Sequence, residues 1–321
     1  AGYSHKLACG TICASGTLGQ IIPPSIALVI LGDALAGTYS QSQMEKGNFL
    51  AEPFSVIDLF AGALLPGLTL VALYIAWLIL TAILRPETCP PYYEEDIKLR
   101  HLSVQIVKAI LPPAFLVVAV LGSILGGLAT PTEAASFGGV GATLLAAVKL
   151  QLNMKVIKEV IRATTRISCM VFSILLGASL FSLTFRGFGG DKLVHQFLTG
   201  LPGGFVTAMA VVMLVMFLLG FVLDFIEIVF IVVPIVAPAL FAADISPVWL
   251  GVMMAMNLQT SFLTPPFGGA LFYIRGVAPD VIRTPEIYRG VVPFVVIQLI
   301  GLTILAFNPE LATWLPSKIL N

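Results

Sequence analysis

Long stretches of the chain carry no Asp, Glu, Lys or Arg, among them those between Lys6 and Asp33, Asp58 and Arg85, Lys108 and Glu133, Glu133 and Lys149, Arg166 and Arg186, and Arg289 and Glu310. Most are long enough to cross a bilayer core of about 30 Å as a helix. With 58% hydrophobic and 11% charged residues and a mean hydropathy of +1.00, the chain lies far from the roughly 25% charged norm of soluble domains. An all-α integral membrane protein is expected. A secreted disulfide scaffold, a nucleic-acid binder and a water-soluble enzyme are excluded. The chain opens on Ala-Gly-Tyr and enters an apolar run with no basic region or cleavage site before it, so no signal peptide is read. An N-terminal portion that is missing, cleaved or carried on another chain is expected. Cys9, Cys13, Cys89 and Cys169 form no CxxC pair and read as small buried thiols.

Lys and Arg stay preferentially on the cytoplasmic side of a membrane. One threading places Lys6 and the loops 85–108, 149–166 and 275–289 inside, collecting 13 of the 17 basic residues and leaving Lys46, Arg186, Lys192 and Lys318 outside. Within Leu152–Arg166, apolar Val156, Ile157, Val160 and Ile161 alternate with Lys155, Lys158, Arg162 and Arg166. That pattern predicts an amphipathic helix on the inner surface.

Two apolar segments are interrupted where a simple span would be continuous. The first, KLACGTICASGTLGQIIPPSIALVILGD, carries Gly16, Thr17, Gly19, Pro23, Pro24 and Ser25 in its middle. The second, WLGVMMAMNLQTSFLTPPFGGALFYIR, carries Asn257, Gln259, Thr260, Ser261, Thr264, Pro265, Pro266, Gly268 and Gly269. Tandem proline removes backbone donors and clashes with the preceding turn, so neither segment can continue as a helix. Superposing the Pro-Pro pairs puts Gly19 on Ser261 and Ser15 on Asn257, and the charge pattern makes the two segments run in opposite senses. Such pairs are expected of inverted repeats, whose broken helices meet near the midplane and offer freed carbonyls and helix ends to ions and solute.

Between His195 and Asp244 two apolar runs flank Asp224, Phe225, Ile226 and Glu227. The second is short for a span, which predicts a re-entrant hairpin from the outer side. Asp224 reads as the cap of the second arm with Glu227 as its capping-box partner, or as a carboxylate close to the ion or solute site. Thr130, Pro131 and Glu133 read as another cap. His5, His101 and His195 are dispersed in expected loops, so no histidine metal cluster is expected, and no hydrolase or Walker motif is present. Phe188-Gly189-Gly190-Asp191 reads as a loop. No enzyme activity is expected.

The strings GTLGQIIPPSIALVILGD, DLFAGALLPG, GGLATPTEAA, LDFIEIVFIVVPIVAP and NLQTSFLTPPFGGALF, in this order, resemble the large membrane subunit of tripartite ATP-independent periplasmic (TRAP) transporters. The resemblance implies an inverted-repeat elevator transporter of the bacterial inner membrane, with re-entrant hairpins and two unwound transmembrane helices moving against a scaffold. It implies co-transport of sodium, as coupling ion, with a small organic acid delivered by a periplasmic binding protein, and a small membrane subunit as partner. The implied division is 1–54 as the inner-repeat unwound helix without its hairpin, 55–165 as scaffold helices with the surface amphipathic helix, 166–204 as a scaffold or connecting helix, 205–286 as the outer hairpin and unwound helix, and 287–321 as a C-terminal membrane helix.

Carried onto this sequence, Gly16, Thr17, Gly19, Pro23, Pro24 and Ser25 match one unwound helix. Asn257, Ser261, Thr264, Pro265, Pro266 and Gly268 match the other, and Asp224 the hairpin tip. The implied solute contacts are Pro24, Ser25, Asn257, Thr264, Pro265, Pro266 and Gly268; the implied sodium contacts are Gly16, Thr17, Gly19, Asp224, Thr260, Ser261 and Thr264. Family members usually carry Gly where Ser261 stands, and their inner hairpin precedes the segment at which this chain opens, which puts one sodium site in doubt. FIEIVFIVVP is similar to the branch labelled for mannitol, chloroaromatic and 2-keto acid solutes. Proton coupling through Asp224 or Glu227, a passive channel and a non-transporting scaffold subunit are the competing expectations.

Overall fold

The computed structural model describes residues 2–90, 99–279 and 281–319, and the side chains of these except 99–105. The helices are α1 His5–Leu18, α2 Ile26–Glu45, α3 Val56–Leu84, α4 Leu99–Leu125, α5 Pro131–Val148, α6 Met154–Gly187, α7 Gly190–Thr199, α8 Gly204–Leu219, α9 Phe225–Ile231, α10 Val233–Phe241, α11 Pro247–Leu263, α12 Gly269–Val277, α13 Thr284–Phe307 and α14 Glu310–Ile319. No strand occurs among the described residues. Stretches within α3, α4, α6 and α13 are long and apolar enough to cross a bilayer. Residues 91–98 of the basic loop expected at 85–108 lie outside the described residues.

Sequence-coded caps start the helices where the apolar runs begin. Ser55 and Asp58 close a capping box on α3: the Asp58 carboxylate accepts from the Ser55 amide at 2.7 Å, and the Ser55 hydroxyl accepts from the Asp58 amide at 3.4 Å. Thr130 and Glu133 do the same on α5. Ser55→Ala is expected to cost about 1 kcal/mol. A lower thermal midpoint of the purified protein, with Ser55→Thr close to wild type, is the check.

The described residues form two compact units, one of 99–173 and one of 2–90 with those from 174 onward. In the first, α5 lies against α4 through Gly141 and Leu116, in purely apolar contact. In the second, α11 is the central element, with every residue from Val248 to Ser261 buried. A helix apolar on nearly every side has to be enclosed by others, and α2, α3, α8 and α13 enclose it. Small residues let these helices approach where lipid gives no hydrophobic drive. A Cβ on Gly10 of α1 would stand 2.6 Å from the Gly290 carbonyl carbon of α13, and one on Gly301 would stand 2.7 Å from Leu70 of α3. At one end Lys46, beyond α2, pairs with Asp244, beyond α10.

Within the second unit α3 packs with α13 and α14. Several boundaries differ from expectation. The amphipathic stretch is no separate helix: no Pro or Gly stands between Met154 and Leu176, so its pattern continues as the opening turns of α6. The C-terminal helix is two, because Pro309 withholds a backbone donor and disfavours helical geometry at Asn308. The loop at 188–191 shrinks to Phe188 and Gly189, where Gly189 takes φ 75°, and Gly190 already opens α7. His5 opens α1, His101 lies in α4 and His195 lies in α7 rather than in loops. Cys9 and Cys13 are buried, whereas Cys169 is exposed.

Candidate functional site

Both Pro-Pro pairs fall between helices, Pro23–Pro24 between α1 and α2 and Pro265–Pro266 between α11 and α12, and both peptide bonds are cis. The breaks are shorter than the motif strings suggest. Gly16 and Thr17 belong to the last turn of α1, Asn257, Thr260 and Ser261 to α11, and non-helical backbone is confined to 19–25 and 264–268. Helical hydrogen bonding therefore continues until the prolines stop it. The half-helix that precedes each break is packed against the half-helix that follows the other: α1 lies against α12, and α2 against α11. This is how two antiparallel broken helices lie side by side. A cavity of about 380 Å³ lies between α1 and α12, with Gly16, Thr17, Phe262, Ala270 and Tyr273 in its wall.

Each break joins two opposite helix ends. The C-terminal turns of α1 and α11 present carbonyls with partial negative charge, and the N-terminal turns of α2 and α12 present amides with partial positive charge. Ser25 caps α2, its hydroxyl donating to the Gln20 carbonyl at 2.7 Å while accepting from Leu28 N–H at 3.4 Å. Gly268 precedes α12, where a Cβ would meet Phe262 O at 2.6 Å and Thr264 O at 2.9 Å, so no larger residue fits. Pro24 and Pro266 are exposed, as are Gly16 and Gly19, while Pro265 and Thr264 are half-buried.

The hydroxyls share one chemistry. Thr17 donates to Ala14 O at 2.9 Å, Thr260 to Met256 O at 2.7 Å, Thr264 to Thr260 O at 2.7 Å and Ser261 to Phe217 O at 2.6 Å. A hydroxyl whose proton is committed to a carbonyl turns only lone pairs to its other neighbours. Asn257 and Ser261 also tie α11 to α8: Asn257 Nδ2 donates to Met213 O at 2.8 Å, and Met213 and Phe217 lie on α8. Gly220, at the C-terminal end of α8, touches Ser261 so closely that a Cβ would stand 2.9 Å from the Ser261 Cβ.

Asp224 is not brought into this cluster. It is exposed and caps α9, and the Glu227 carboxylate accepts from the Asp224 amide at 3.2 Å. The capping role accounts for both carboxylates. Among the described residues no group of three His, Cys, Asp or Glu gathers.

Three glutamines enter that were not among the expected contacts. Gln259 is fully buried in α11 with neither Oε1 nor Nε2 partnered, and Gln20, within the first break, has its Oε1 buried and unpartnered. Gln298 of α13, 1% exposed, donates to Tyr74 OH at 2.8 Å and lies 3.5 Å from Thr17 Oγ1, leaving its own Oε1 unpartnered. The available signal was an amide side chain inside an apolar run, at Gln20 and Gln259 within the Pro-Pro motifs and at Gln298 within 290–309.

Residues 1–311 match the family described as tripartite ATP-independent periplasmic transporter, DctM component. The chain is 28% identical to the C4-dicarboxylate TRAP transporter large permease protein DctM of Vibrio cholerae, over 100% of this chain and 70% of that protein. It is 27% identical to the sialic acid TRAP transporter large permease protein SiaM of the same organism, covering 99% of this chain and 69% of that protein. With the ectoine TRAP transporter large permease protein TeaC of Halomonas elongata it shares 25%, covering 98% and 68%.

Proposed function

The chain belongs to the DctM-component family of tripartite ATP-independent periplasmic transporters, and on that premise we propose that it carries out sodium-coupled secondary uptake of a small organic acid. It is a multi-pass membrane protein of all-helical build, and its place is the bacterial inner membrane. A periplasmic binding protein hands over the solute, and a small membrane subunit braces the assembly. Relatives named for C4-dicarboxylate and sialic acid support a carboxylate-bearing solute.

The observation that carries the reading is the pair of buried amide oxygens without donors, Gln20 Oε1 and Gln259 Oε1, one on each broken helix. An unpartnered buried acceptor costs about 1–3 kcal/mol, and a hard cation that takes oxygen ligands removes that cost. Hydroxyls of Thr17, Thr260 and Thr264 and the C-terminal carbonyls of α1 and α11 add further oxygens. Sodium held there neutralises the helix ends and leaves the amide ends of α2 and α12 to a carboxylate, with Ser25, Asn257 and Gly268 at its border. Ion and solute then stabilise each other's sites, which is coupling in the thermodynamic sense. The hairpin α8–α10 and the broken helices move together, elevator fashion.

The test is uptake of labelled organic acid into proteoliposomes holding the complete complex and its binding protein. Accumulation is expected under an inward sodium gradient and background uptake when choline replaces sodium. Equal uptake in both refutes the coupling, and flux that never exceeds equilibration identifies a channel.

A further inference from the structure

Away from the two Pro-Pro breaks, three cationic side chains from three elements meet at one pocket. Lys6 of α1, Arg85 at the C-terminus of α3 and Arg289 of α13 line a space of about 240 Å³, together with Trp77, Thr81 and Thr88. Among the described residues no carboxylate comes within ion-pair distance of any of the three. Glu286, on the same end of α13, caps that helix by accepting from the Arg283 amide at 3.1 Å and faces His5 at 3.7 Å. Three like charges around one small space repel one another, and an anion seated between them reverses the sign of that interaction.

The donors define the anion. Thr81 and Thr88 donate their hydroxyl protons to Trp77 O and Arg85 O, each at 2.8 Å, so binding falls to two guanidinium forks and one ammonium. Planar forks suit the tetrahedral oxygens of phosphate, with lysine as a point charge. The surroundings are those of a membrane boundary. Trp77 stands about two turns before Arg85, the interfacial position tryptophan favours, and the same helix end exposes Ile79, Leu80, Ile83 and Leu84. The charge pattern puts this end of the bundle at the cytoplasmic leaflet.

We propose that Lys6, Arg85, Arg289 and the pocket between them form a phosphate-binding site at the inner membrane surface, for which an anionic phospholipid headgroup is the source the surroundings favour over soluble phosphate. The full chain, purified from membranes, is examined by native mass spectrometry with phosphatidylglycerol, phosphatidylcholine or inorganic phosphate added separately. Phosphatidylglycerol is expected to be retained about ten-fold over phosphatidylcholine, with the preference lost in Arg85→Gln/Arg289→Gln and kept in Lys192→Gln. Phosphate binding that the double variant abolishes, without a lipid preference, supports the site with the soluble source. Binding of lipid and phosphate that the double variant leaves intact overturns the proposal, as does equal loss in Lys192→Gln. If the double variant does not fold, the wild type decides: a phosphatidylglycerol preference that fades with added salt supports the site, and no preference with no phosphate binding overturns it.

Discussion

Gly290→Leu is expected to give a protein that enters the membrane but has lost its cooperative thermal transition and shows background uptake. The Gly290 Cα faces the backbone of α1, where an added Cβ would stand 3.0 Å from the Lys6 carbonyl carbon and 3.2 Å from Gly10 N. Backbone cannot rotate away as a side chain can, so α1 and α13 must separate. Overpacking of this kind costs about 1–3 kcal/mol for small additions and more for large ones. Because the collision begins at the Cβ, Gly290→Ala is expected to lower the midpoint measurably. Gly122→Ala on α4, where a Cβ meets nothing within 4 Å, is expected to match wild type. Separation also pulls Thr17 from Gln298, so transport falls with stability. An active, fully stable Gly290→Leu protein would show that the approach of α1 to α13 is not required.

Gln259→Leu is expected to split stability from transport. Both polar atoms of this side chain are buried and unpartnered, so replacing them with hydrocarbon of similar length removes a desolvation cost of about 1–3 kcal/mol. The thermal midpoint in sodium-free buffer is expected to hold or rise. Uptake is expected to fall by about a hundred-fold, as losing a ligand worth about 2.7 kcal/mol in the transport cycle would require. The stabilisation that sodium gives the wild type, which follows its binding, is expected to disappear in the variant. Wild-type uptake by Gln259→Leu would remove the amide from the ion site, and a lowered midpoint would mean that the side chain has a structural partner.

The uncharged runs and the Pro-Pro pairs were legible in the sequence because each acts through its own backbone: lipid demands internally paired segments, and proline withholds a donor wherever it stands. The caps at Thr130 and Asp224 were legible for the same reason, since a cap is settled within four residues. Less legible were features fixed by tertiary contact. Nothing local says that the Ser261 hydroxyl reaches Phe217 O or that Asn257 holds Met213 O. Nor does a glutamine in an apolar run reveal whether its amide finds a donor, which is how Gln298 came to be paired with Tyr74 while Gln259 was left alone. The breaks were read too wide because glycine and threonine lower helix propensity only modestly, and packing overrides that preference in the last turns of α1 and α11.

The sheath around α11 has a dynamic corollary. From Val248 to Ser261 the helix offers no open flank, so a dissolved particle bound for Gln259 has no standing corridor to follow. Under the proposed function, ion entry and exit wait on neighbours stepping aside, and turnover follows how often that wrapping loosens rather than how fast the ion diffuses.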